Sequence, residues 1–341
     1  METLPPLRFS AIGLNHAHIY GQVNLLLRAG AQFVSFYASE PELAARFAQV
    51  FPQAAQAARP EEILDDPSIP LIISAGIPVD RAPLGIEVMR RAKDYMSDKP
   101  GFTTLAQLAE VRRVQKETGR IYSICFSEHF ETRSTVYAGK LVKSGAIGKV
   151  VQTIGLGPHR TSLNTRAAWF YQRDQSGGVL CDIASHQFEQ FLFFTGSTQA
   201  EIVSSQVGNF KHSQHFGFED FGDCMVRGNG GCGYIRVDWY TPDGLPTWGD
   251  GRLTILGTEG YIELRKYIDI AGRPGGEHLF LVDQKGVNYI DCSNKELPYG
   301  RQLIEDIVHR SETAMTQQHC FLASELALQA EAQAVRLGNL N

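Results

Sequence analysis

Two short segments that lie far apart in the chain carry residues suited to proton transfer. One segment contains Lys99, and the other runs from the glycine pair Gly177-Gly178 to Asp182 and His186. A neutral imidazole can take a proton near neutral pH, and a lysine ammonium can stabilise negative charge that grows on an oxygen. The two segments together indicate a divided active site, with His186 as the candidate base and Lys99 as the candidate donor.

Each segment also has a purely structural interpretation. Lys99 could be a surface lysine at a turn, Asp182 a favourable charge in the first turn of a helix, and His186 a hydrogen-bonded packing residue. A helix predicted to start near Val179 would place Asp182 and His186 on one face, because residues four apart are neighbours on a helix. Lys99 follows the brief apolar strand Tyr95-Met96, so it should lie where a strand of an α/β sheet passes into a loop.

The first third of the sequence alternates short apolar strands with amphipathic helices. Strands are predicted near residues 7–12, 32–37, 71–74, 95–96 and 121–125, and helices over 17–29, 41–50, 81–92 and 105–118. Such alternation predicts an α/β fold, in which a Rossmann-like, doubly wound parallel sheet forms the N-terminal domain.

The pattern changes from Val150 onward. Strand-like runs such as 232–239 and 252–256 are separated by glycine-rich turns, and helices are predicted over 181–195, 301–311 and 321–337. We therefore predict a C-terminal α+β domain with a largely antiparallel open sheet. The change of pattern places the domains at residues 1–125 and 126–341.

The first strand-to-helix turn carries only the first of the three glycines of a dinucleotide-binding fingerprint. Gly13 can make the tight turn, and Asn15 is a non-glycine residue that tolerates left-handed backbone at the second position. The following helix offers backbone N–H groups to a pyrophosphate, but His18 replaces the third glycine. A cofactor site and a plain α/β turn are both compatible with this motif.

Composition narrows the possible partners and the cellular compartment. The net charge is −5, with no run of lysine or arginine, which argues against nucleic acid or an anionic membrane as a partner. The six cysteines show no C-x-x-C spacing, which is typical of reduced thiols in a cytoplasmic protein. The N-terminus has no signal-peptide pattern, and no apolar run is long enough to cross a bilayer.

Taken in order, four features resemble the glucose-fructose oxidoreductase / inositol dehydrogenase (Gfo/Idh/MocA) family. They are the altered turn at Gly13, Asp98-Lys99-Pro100 in place of the family's E-K-P, the segment 141–150, and the G-G-x-x-x-D-x-x-x-H run ending at His186. Members are mostly nicotinamide-dependent dehydrogenases of sugars, sugar acids or cyclitols. The resemblance implies an NAD(P)-dependent oxidoreductase acting on the CH–OH group of a polyhydroxylated small molecule. It also implies a homo-oligomer, dimer or tetramer.

The resemblance also implies roles for individual residues. Lys99 would contact the reacting hydroxyl, His186 would serve as general acid/base, and Asp182 would either bind a neighbouring hydroxyl or orient His186. NAD or NADP would be held by residues at the ends of the N-terminal strands, namely Gly13, Asn15, His16, His18, Ser39, Ala75, Gly76 and Lys99.

The sequence departs from the family pattern at three places, which affect the expected cofactor and substrate contacts. Tyr37-Ala38-Ser39 lacks the carboxylate expected at the end of the second strand, which leaves NAD versus NADP open and predicts weak discrimination between them. His129, with Phe130, stands where many relatives carry an arginine-aromatic pair. The segment 160–173 is either an exposed loop or a substrate loop rich in guanidinium and aromatic groups. The residues predicted to bind substrate are His129, Arg166, Trp169 and Arg173.

His212 and His215 have H-x-x-H spacing with Asp220 and Asp223 nearby, which could suggest a metal site. No predicted element fixes the geometry of these residues, so we predict no metal site.

Two alternative functions remain. Within the family, the enzymatic alternative is glycoside cleavage with a tightly bound dinucleotide. The non-enzymatic alternative is a regulatory protein that binds a dinucleotide without turnover.

Overall fold

The alternating segments of the first third build a six-stranded parallel sheet in the structure, a computed structural model that describes residues 6–338. Its elements are β1 (Arg8–Ile12), α1 (His18–Arg28), β2 (Gln32–Tyr37), α2 (Pro41–Val50), β3 (Ala55–Gln56), α3 (Glu61–Leu64), β4 (Leu71–Ser74), α4 (Pro78–Arg90), β5 (Asp94–Asp98), α5 (Leu105–Thr118) and β6 (Tyr122–Cys125). The strand order is β3-β2-β1-β4-β5-β6, and all neighbours are parallel. The predicted doubly wound sheet is confirmed, and its order reverses between β1 and β4, where such sheets bind ligands.

Local sequence explains why these elements form where they do. All residues of β4 and β5 are buried, as expected for central strands of a parallel sheet covered on both faces. Helix α5 begins after Thr104, whose side chain accepts the N–H of Gln107, and ends at Gly119, which has a φ of 63°. A threonine cap at the start and a left-handed glycine at the end are the ordinary signals for a helix.

The remaining elements form a larger mixed sheet and its helices, together with one helix of the first unit. They are α6 (Ser127–Phe130), α7 (Arg133–Lys143), β7 (Val150–Pro158), α8 (Arg173–Ser176), α9 (Val179–Asp182), α10 (Ser185–Thr195), β8 (Ala200–Asn209), β9 (Phe221–Gly228), β10 (Cys232–Asp238), β11 (Arg252–Gly257), β12 (Tyr261–Arg265), β13 (His278–Asp283), β14 (Gly286–Asp291), α11 (Tyr299–His309), α12 (Gln317–Gln333) and β15 (Val335–Gly338). Two single 3-10 turns lie at Leu163–Thr165 and Ala168–Tyr171.

The mixed sheet has nine strands in the order β14-β13-β12-β11-β7-β10-β9-β8-β15. Only the pairs β7/β10 and β8/β15 are parallel among these described strands, so the predicted, largely antiparallel sheet is confirmed. The helix predicted over 321–337 is wrong at its end. Helix α12 stops at Gln333, and β15 pairs with β8.

Helix α10 lies directly on β7 because two glycines of that strand leave room for it. A Cβ atom on Gly155 would lie 2.8 Å from Gln187 Cγ, and one on Gly157 would lie 2.9 Å from Gln187 Nε2. A side chain at either position would push the helix away from the strand. The glycines of β7 therefore set the distance between the sheet and the helix that carries His186.

By their contacts, the residues divide into two units. One consists of the chain up to Cys125 with Pro298–Phe321, and the other of Phe126–Leu297 with the residues from Leu322 onward. The sequence analysis assigned every residue after 125 to one domain, whereas 298–321 cluster with the first unit. Within the described residues, no helix combines the length and apolar character needed to cross a bilayer.

Three contacts inside the first unit explain where 298–321 cluster. Tyr299 Oη lies 2.8 Å from Ser123 Oγ. The Arg310 guanidinium donates to both oxygens of buried Asp94, at 2.7 and 2.6 Å. These are partners far apart in sequence, which a change of hydrophobic pattern cannot reveal.

The Arg310–Asp94 pair gives a test of this assignment. Arg310→Met should lower the free energy of unfolding by about 2 kcal/mol, because it leaves a buried carboxylate without its cation, although the partly exposed arginine moderates the loss. Arg301→Met on the same helix is the control, since Arg301 is mostly exposed and lies 4.0 Å from Glu305. Equal midpoints of the two variants in urea unfolding would contradict the assignment.

Candidate functional site

The first strand-to-helix turn packs against the loop after β4. Gly13 has a φ of 82°, and a Cβ atom on it would lie 2.9 Å from Gly76 Cα. The Ala75 N–H donates to the Gly13 carbonyl oxygen at 3.1 Å, and the His16 N–H donates to the Ala75 carbonyl oxygen at 2.8 Å. Four predicted cofactor residues, Gly13, His16, Ala75 and Gly76, therefore meet where the strand order reverses. This close approach fits the cradle that a dinucleotide pyrophosphate needs.

The carboxylate of Glu40 lies beside this turn. Asn15 Nδ2 donates to Glu40 Oε1 at 2.7 Å, and Ser39 Oγ donates to Glu40 Oε2 at 2.9 Å. Glu40 precedes Pro41, the first residue of α2. The expected carboxylate is therefore missing from 37–39 but present one residue later, held by two predicted cofactor residues, Asn15 and Ser39.

The end of β5 is a cluster of charged and ionisable groups. The buried Asp98 carboxylate lies 3.0 Å from His18 Nδ1, 3.5 Å from His16 Nδ1 and 3.4 Å from the Arg81 guanidinium. Burial raises the pKa of Asp98, but His18 and Arg81 outweigh burial and hold that pKa well below its usual value. Burial, with His18 adding to it, lowers the pKa of His16 well below its usual value. Asp98 is therefore ionised and His16 neutral near pH 7.

Lys99 follows the last residue of β5, as the sequence predicts, and is buried rather than a surface lysine at a turn. Its position depends on Arg81, which sequence reasoning missed. Arg81 Nε donates to the Gly76 carbonyl oxygen at 2.8 Å, and Nη1 donates to the carbonyl oxygens of Lys99 at 2.5 Å and Pro100 at 3.1 Å. Arg81 thus joins the ends of β4 and β5. The sequence offered only an arginine near the start of a predicted helix.

Three residues of this cluster have the donor types of a metal site. The ligand atoms of His16, His18 and Asp98 lie within 4.8 Å of one another. However, the Arg81 guanidinium is an ion partner of the same carboxylate, and Lys99 adds a cation that lowers the pKa of His16. Two cations beside one carboxylate disfavour a divalent ion and favour an anionic group.

The second unit carries Asp182 and His186, but not on one helix. Helix α9 ends at Asp182 and α10 begins at Ser185, with a turn at Ile183 and Ala184. The His186 N–H donates to the Ile183 carbonyl oxygen at 3.2 Å, and Ser185 Oγ donates to the Asp182 carbonyl oxygen at 3.0 Å. The prediction of one continuous helix from Val179 is therefore wrong: the Ser185 hydroxyl donates to the carbonyl oxygen that would continue the helix, and a turn separates α9 from α10.

The glycine pair before α9 admits two buried carboxylates. Gly178 has a φ of 91°, and a Cβ atom there would lie 2.4 Å from Glu331 Cδ. The Val179 N–H donates to Glu219 Oε2 at 2.9 Å, and the Leu180 N–H donates to Glu331 Oε2 at 3.1 Å. The carboxyl oxygens of Glu219 and Glu331 accept the first N–H groups of α9, which have no partner within the helix.

Arg173, predicted to bind substrate, is the cation between these carboxylates. Its Nε lies 3.1 Å from Glu219 Oε1, and its Nη2 lies 3.0 Å from Glu331 Oε1. Arg336 is a second cation on Glu219, at 3.2 Å. In this arrangement Arg173 stabilises the glycine turn that leads into Asp182.

The segment before the glycine pair is folded against the sheet rather than simply exposed. Arg166 Nε donates to the Thr161 carbonyl oxygen at 2.9 Å, and its guanidinium carbon lies 4.3 Å from the centre of the Phe170 ring and 5.1 Å from that of Trp239. Burial lowers the pKa of Arg166, and Asp182 partly opposes that effect. Trp169 is half-buried beside Phe170.

Asp182 lines a small cavity within the second unit. Its walls include the aromatic residues that hold Arg166 and the loop that faces Arg173. The residues that line it include Phe170, Tyr171, Arg173, Asp182 and Trp239. Arg166 reaches this neighbourhood through its electrostatic interaction with Asp182, whereas Arg173 lines the cavity and is paired with Glu219 and Glu331.

His129 is buried and has an acidic partner of its own. Its Nδ1 lies 2.9 and 3.0 Å from the two oxygens of Glu189. Next to it in sequence, Glu128 forms a buried ion pair with Lys266, with 2.9 Å between Oε2 and Nζ. Sequence reasoning missed this pair, because its members are 138 residues apart and neither lies in a motif.

The H-x-x-H pair is divided between different partners. His212 Nδ1 lies 2.9 Å from Asp220 Oδ2, whereas the His215 ring stacks on Tyr171 at 3.7 Å between ring centres. Asp223 accepts from Gln206 and Tyr234. The two histidines thus have separate structural partners.

Comparison with known proteins gives the following matches. The GFO/IDH/MocA C-terminal domain matches residues 135–263. A crystal structure from Erwinia carotovora atroseptica SCRI1043, of a protein provisionally named an oxidoreductase, is 46% identical, covers 97% of this chain and 100% of that one, and has a TM-score of 0.95. Levoglucosan dehydrogenase, solved in complex with NADH and levoglucosan, is 18% identical, with 96% of each chain covered and a TM-score of 0.79.

A curated relative matches over a shorter region. The uncharacterized oxidoreductase YdgJ of Escherichia coli (strain K12) is 23% identical over 192 residues, which are 56% of this chain and 54% of YdgJ. The match thus spans about half the length of that relative.

Together, the parallel sheet with its glycine turn and the nine-stranded mixed sheet define the two-unit architecture that these oxidoreductases share. The chain belongs to the GFO/IDH/MocA family, since it shares 46% identity with a relative over nearly its whole length and carries the family's C-terminal domain. The resemblance drawn from the sequence is confirmed.

The carboxylates behind the glycine turn give a pH-dependent test. Burial raises the pKa of Glu331 to about 8, and the Glu219 carboxylate adds to that effect. Because the pKa is higher folded than unfolded, folding takes up a proton, and this stabilisation is present at acid pH and lost as the pH rises through about 8. We expect the melting temperature to fall from about pH 5 to pH 8, and to fall less in Glu331→Gln.

Scanning fluorimetry across this pH range checks the expectation. Glu305→Gln, which changes an exposed carboxylate on α11, is the matched control and should keep the slope of the wild-type protein. An unchanged slope in Glu331→Gln would assign the pH dependence to another group.

Proposed function

We propose that the protein is an oxidoreductase that moves a hydride between NAD or NADP and the CH–OH carbon of a hydroxylated, sugar-like small molecule. The observation that carries this proposal is the close approach of Gly13 to Gly76 at the reversal point of the parallel sheet. At the end of β5 in the same unit, Arg81 holds the backbone carbonyl of Lys99. A sheet edge of this kind, with a lysine beside it, suits a dinucleotide with a reacting group next to it.

The residues of the first unit fit the dinucleotide. Gly13, His16, Ala75 and Gly76 would hold the pyrophosphate, and Asn15 with Ser39 and Glu40 would meet the adenosine ribose. His18 and Asp98 lie at the end of β5 near Lys99. When bound, the nicotinamide supplies the hydride acceptor or donor. The complex of levoglucosan dehydrogenase with NADH supports this choice of cofactor.

The reaction also needs a proton acceptor and a donor to the reacting oxygen. We assign the proton of the substrate hydroxyl to His186, because a neutral imidazole is suited to that step near pH 7. Lys99 donates to the oxygen on which negative charge grows. Asp182 binds a neighbouring hydroxyl, which agrees with its place on the wall of a small cavity.

The substrate contacts proposed for the second unit lie beside the wall of the same cavity. Arg166 provides a guanidinium that interacts electrostatically with Asp182, and Trp169 provides an aromatic ring next to Phe170 of the cavity wall, which suits a polyhydroxylated or carboxylated ligand. His129 remains a candidate contact, held in orientation by Glu189. For Arg173 we propose a supporting role in place of direct substrate binding, because its Nε and Nη2 groups are paired with Glu219 and Glu331.

A regulatory protein that binds dinucleotide without turnover is the second candidate. The His18 N–H at the start of α1 donates to His16 Nδ1 at 3.3 Å, so that amide is engaged within the protein instead of facing a phosphate. Such a contact weakens the helix terminus as an anion site.

The partner proposed for this protein is a second copy of the same chain. Ile154, Tyr234 and Met225 are paired neighbours across β7, β10 and β9. They point away from the side on which Gly155 and Gly157 meet α10, because successive residues of a strand face opposite sides. Adjacent apolar side chains on this face favour self-association into a dimer or tetramer.

The proposed function is tested in two stages. A thermal-shift screen with NAD, NADP and their reduced forms reports binding, and a sugar, sugar-acid and cyclitol panel followed at the absorbance of the reduced cofactor reports turnover. Binding without turnover of any panel member would favour the regulatory alternative. Sedimentation of the same sample gives the oligomeric state.

The roles of Lys99 and His186 are separable by kinetics. Lys99→Ala should lower turnover by about 10²–10³-fold with cofactor affinity nearly unchanged, as for the loss of one donor to a developing oxyanion. His186→Asn should cost about 10²–10⁴-fold and remove the fall in oxidation rate at acid pH. His309→Asn, an exposed histidine on α11, serves as the control. An acid limb that persists in His186→Asn would make another group the base.

Glu40 determines the expected cofactor preference. A carboxylate near the ribose accepts its hydroxyls and repels a 2′-phosphate, so we now expect a preference for NAD instead of weak discrimination. Glu40→Gln should improve NADP affinity by about 10-fold, whereas Glu42→Gln, an exposed carboxylate two residues on, should not. Calorimetric titration decides it, and NADP affinity unchanged in Glu40→Gln would show that Glu40 does not face the ribose.

A further inference from the structure

A buried ion pair lies against the helix that carries His186. Glu128 belongs to α6 and Lys266 follows β12, and their side chains are 2% and 1% exposed, with 2.9 Å between Oε2 and Nζ. Replacing a buried ion pair with apolar residues of similar volume is often neutral or stabilising. Stability alone is therefore a weak reason for this pair to be here.

Two glutamines connect the pair to the residues around His186. Gln187 Nε2 donates to Glu128 Oε2 at 3.0 Å, and Lys266 Nζ donates to Gln190 Oε1 at 2.8 Å. Gln190 Nε2 in turn donates to the His186 carbonyl oxygen at 3.0 Å. The ion pair thus contacts α10 at Gln187, the residue after His186, and at Gln190, one helical turn after His186.

The charge of Glu128 is positioned to act on His186. Burial raises the pKa of Glu128, but Lys266 and then His186 outweigh burial and bring that pKa to about 2, so the carboxylate is ionised near neutral pH. Its second oxygen, Oε1, is buried and has no hydrogen-bond partner among the described residues. An ionised oxygen without a donor, in low dielectric, favours positive charge on a neighbouring imidazole.

Other titratable groups also face this carboxylate. His159, at the end of β7, interacts with it electrostatically, as does Tyr267, whose pKa is raised above its usual value first by burial and then by Glu128. On α10, Glu189 is engaged with His129. Lys266 is the cation that contacts Glu128 directly.

We propose that Glu128 and Lys266 are positioning residues for His186: the carboxylate stabilises the imidazolium that His186 becomes on accepting a proton, and Lys266 fixes the carboxylate and limits that stabilisation. The substrate O–H bond breaks as an N–H bond forms on His186, and the resulting positive charge lies in the field of Glu128. The catalytic role of this stabilisation rests on the proposed function. The electrostatic coupling of Glu128, Lys266 and His186 does not depend on that function.

The two charges make opposite predictions for one measured quantity. In Glu128→Gln, Lys266 is left without its counter-ion, so the pKa of His186 should fall by about one unit. In Lys266→Met, Glu128 loses its cation, so the pKa of His186 should rise by a similar amount. The double variant removes both charges and should return the pKa of His186 close to that of the wild-type protein.

The pKa of His186 is measured by NMR titration of imidazole-labelled full-length protein without substrate, with the His186 signal identified by its loss in His186→Asn. Glu128→Asp and Lys266→Arg retain the charges and should preserve the titration where the neutral variants fold poorly. Glu277→Gln is the structural control, since that carboxylate accepts the N–H groups of Arg133 and Ser134 at the start of α7. It should lower the melting temperature and leave the titration of His186 unchanged.

Opposite shifts in the two neutral variants, with the control unchanged, support the proposal. Shifts in the same direction would indicate general loosening of α10 and overturn it, as would an unchanged titration in both. Because no substrate or cofactor is needed, the outcome is independent of the turnover assay. If the protein shows opposite shifts but no dehydrogenase activity, the proposed function is contradicted and the electrostatic coupling is supported. If the protein is an active dehydrogenase without these shifts, only the coupling is contradicted.

Discussion

The guanidinium of Arg81 is the interaction on which the carboxyl edge of the parallel sheet depends. Parallel strands bring several loop ends to one edge, and each end leaves backbone carbonyl oxygens that need donors. Arg81 supplies donors to the loop after β4 and to the loop after β5, and its charge faces Asp98. Arginine suits this task because its donors lie in a rigid planar fork and its charge is permanent. A lysine could not serve both loops and the carboxylate at once.

In the second unit, charged side chains also bind backbone groups at the end of a loop, but the sign of their charge is reversed. There the backbone groups that need partners are the N–H groups at the start of α9, and the partners are the carboxylates of Glu219 and Glu331. Arg173 and Arg336 then balance the negative charge. Each unit thus keeps a loop in place through ionic contacts, so Lys99 and Asp182 both follow segments whose backbone is already fixed.

Part of this arrangement is readable from sequence because it is local. The strands of the parallel sheet are apolar runs between helical patterns, and the position of Lys99 follows from the end of one such run. The meeting of Gly13 with Gly76 follows from the order of elements. The break between Asp182 and His186 does not, because a helix of four-residue spacing and a turn closed by Ser185 have the same sequence signature.

The residues that sequence reasoning missed share a physical cause. Arg81 and Lys266 act through partners 17 and 138 residues away, and their types are common on any protein surface. They differ from ordinary surface residues only because they are buried and paired, and neither property produces a periodic pattern in the sequence. Arg173 shows the opposite error, since a guanidinium in a polar loop suggests a ligand contact until its two carboxylate partners are seen.

The return of Pro298–Phe321 to the first unit has a consequence for how the chain can be divided. In terms of gene architecture, the segment Phe126–Leu297 interrupts the first unit, and the second unit resumes at Leu322, so neither unit is one continuous stretch of the chain. A fragment cut after Cys125 would lack the Tyr299 hydroxyl that meets Ser123 and the Gln317 amide oxygen that accepts the Tyr122 N–H. Shuffling of the two units between relatives must therefore exchange two separate segments at three junctions, a more demanding event than the fusion of two tandem domains.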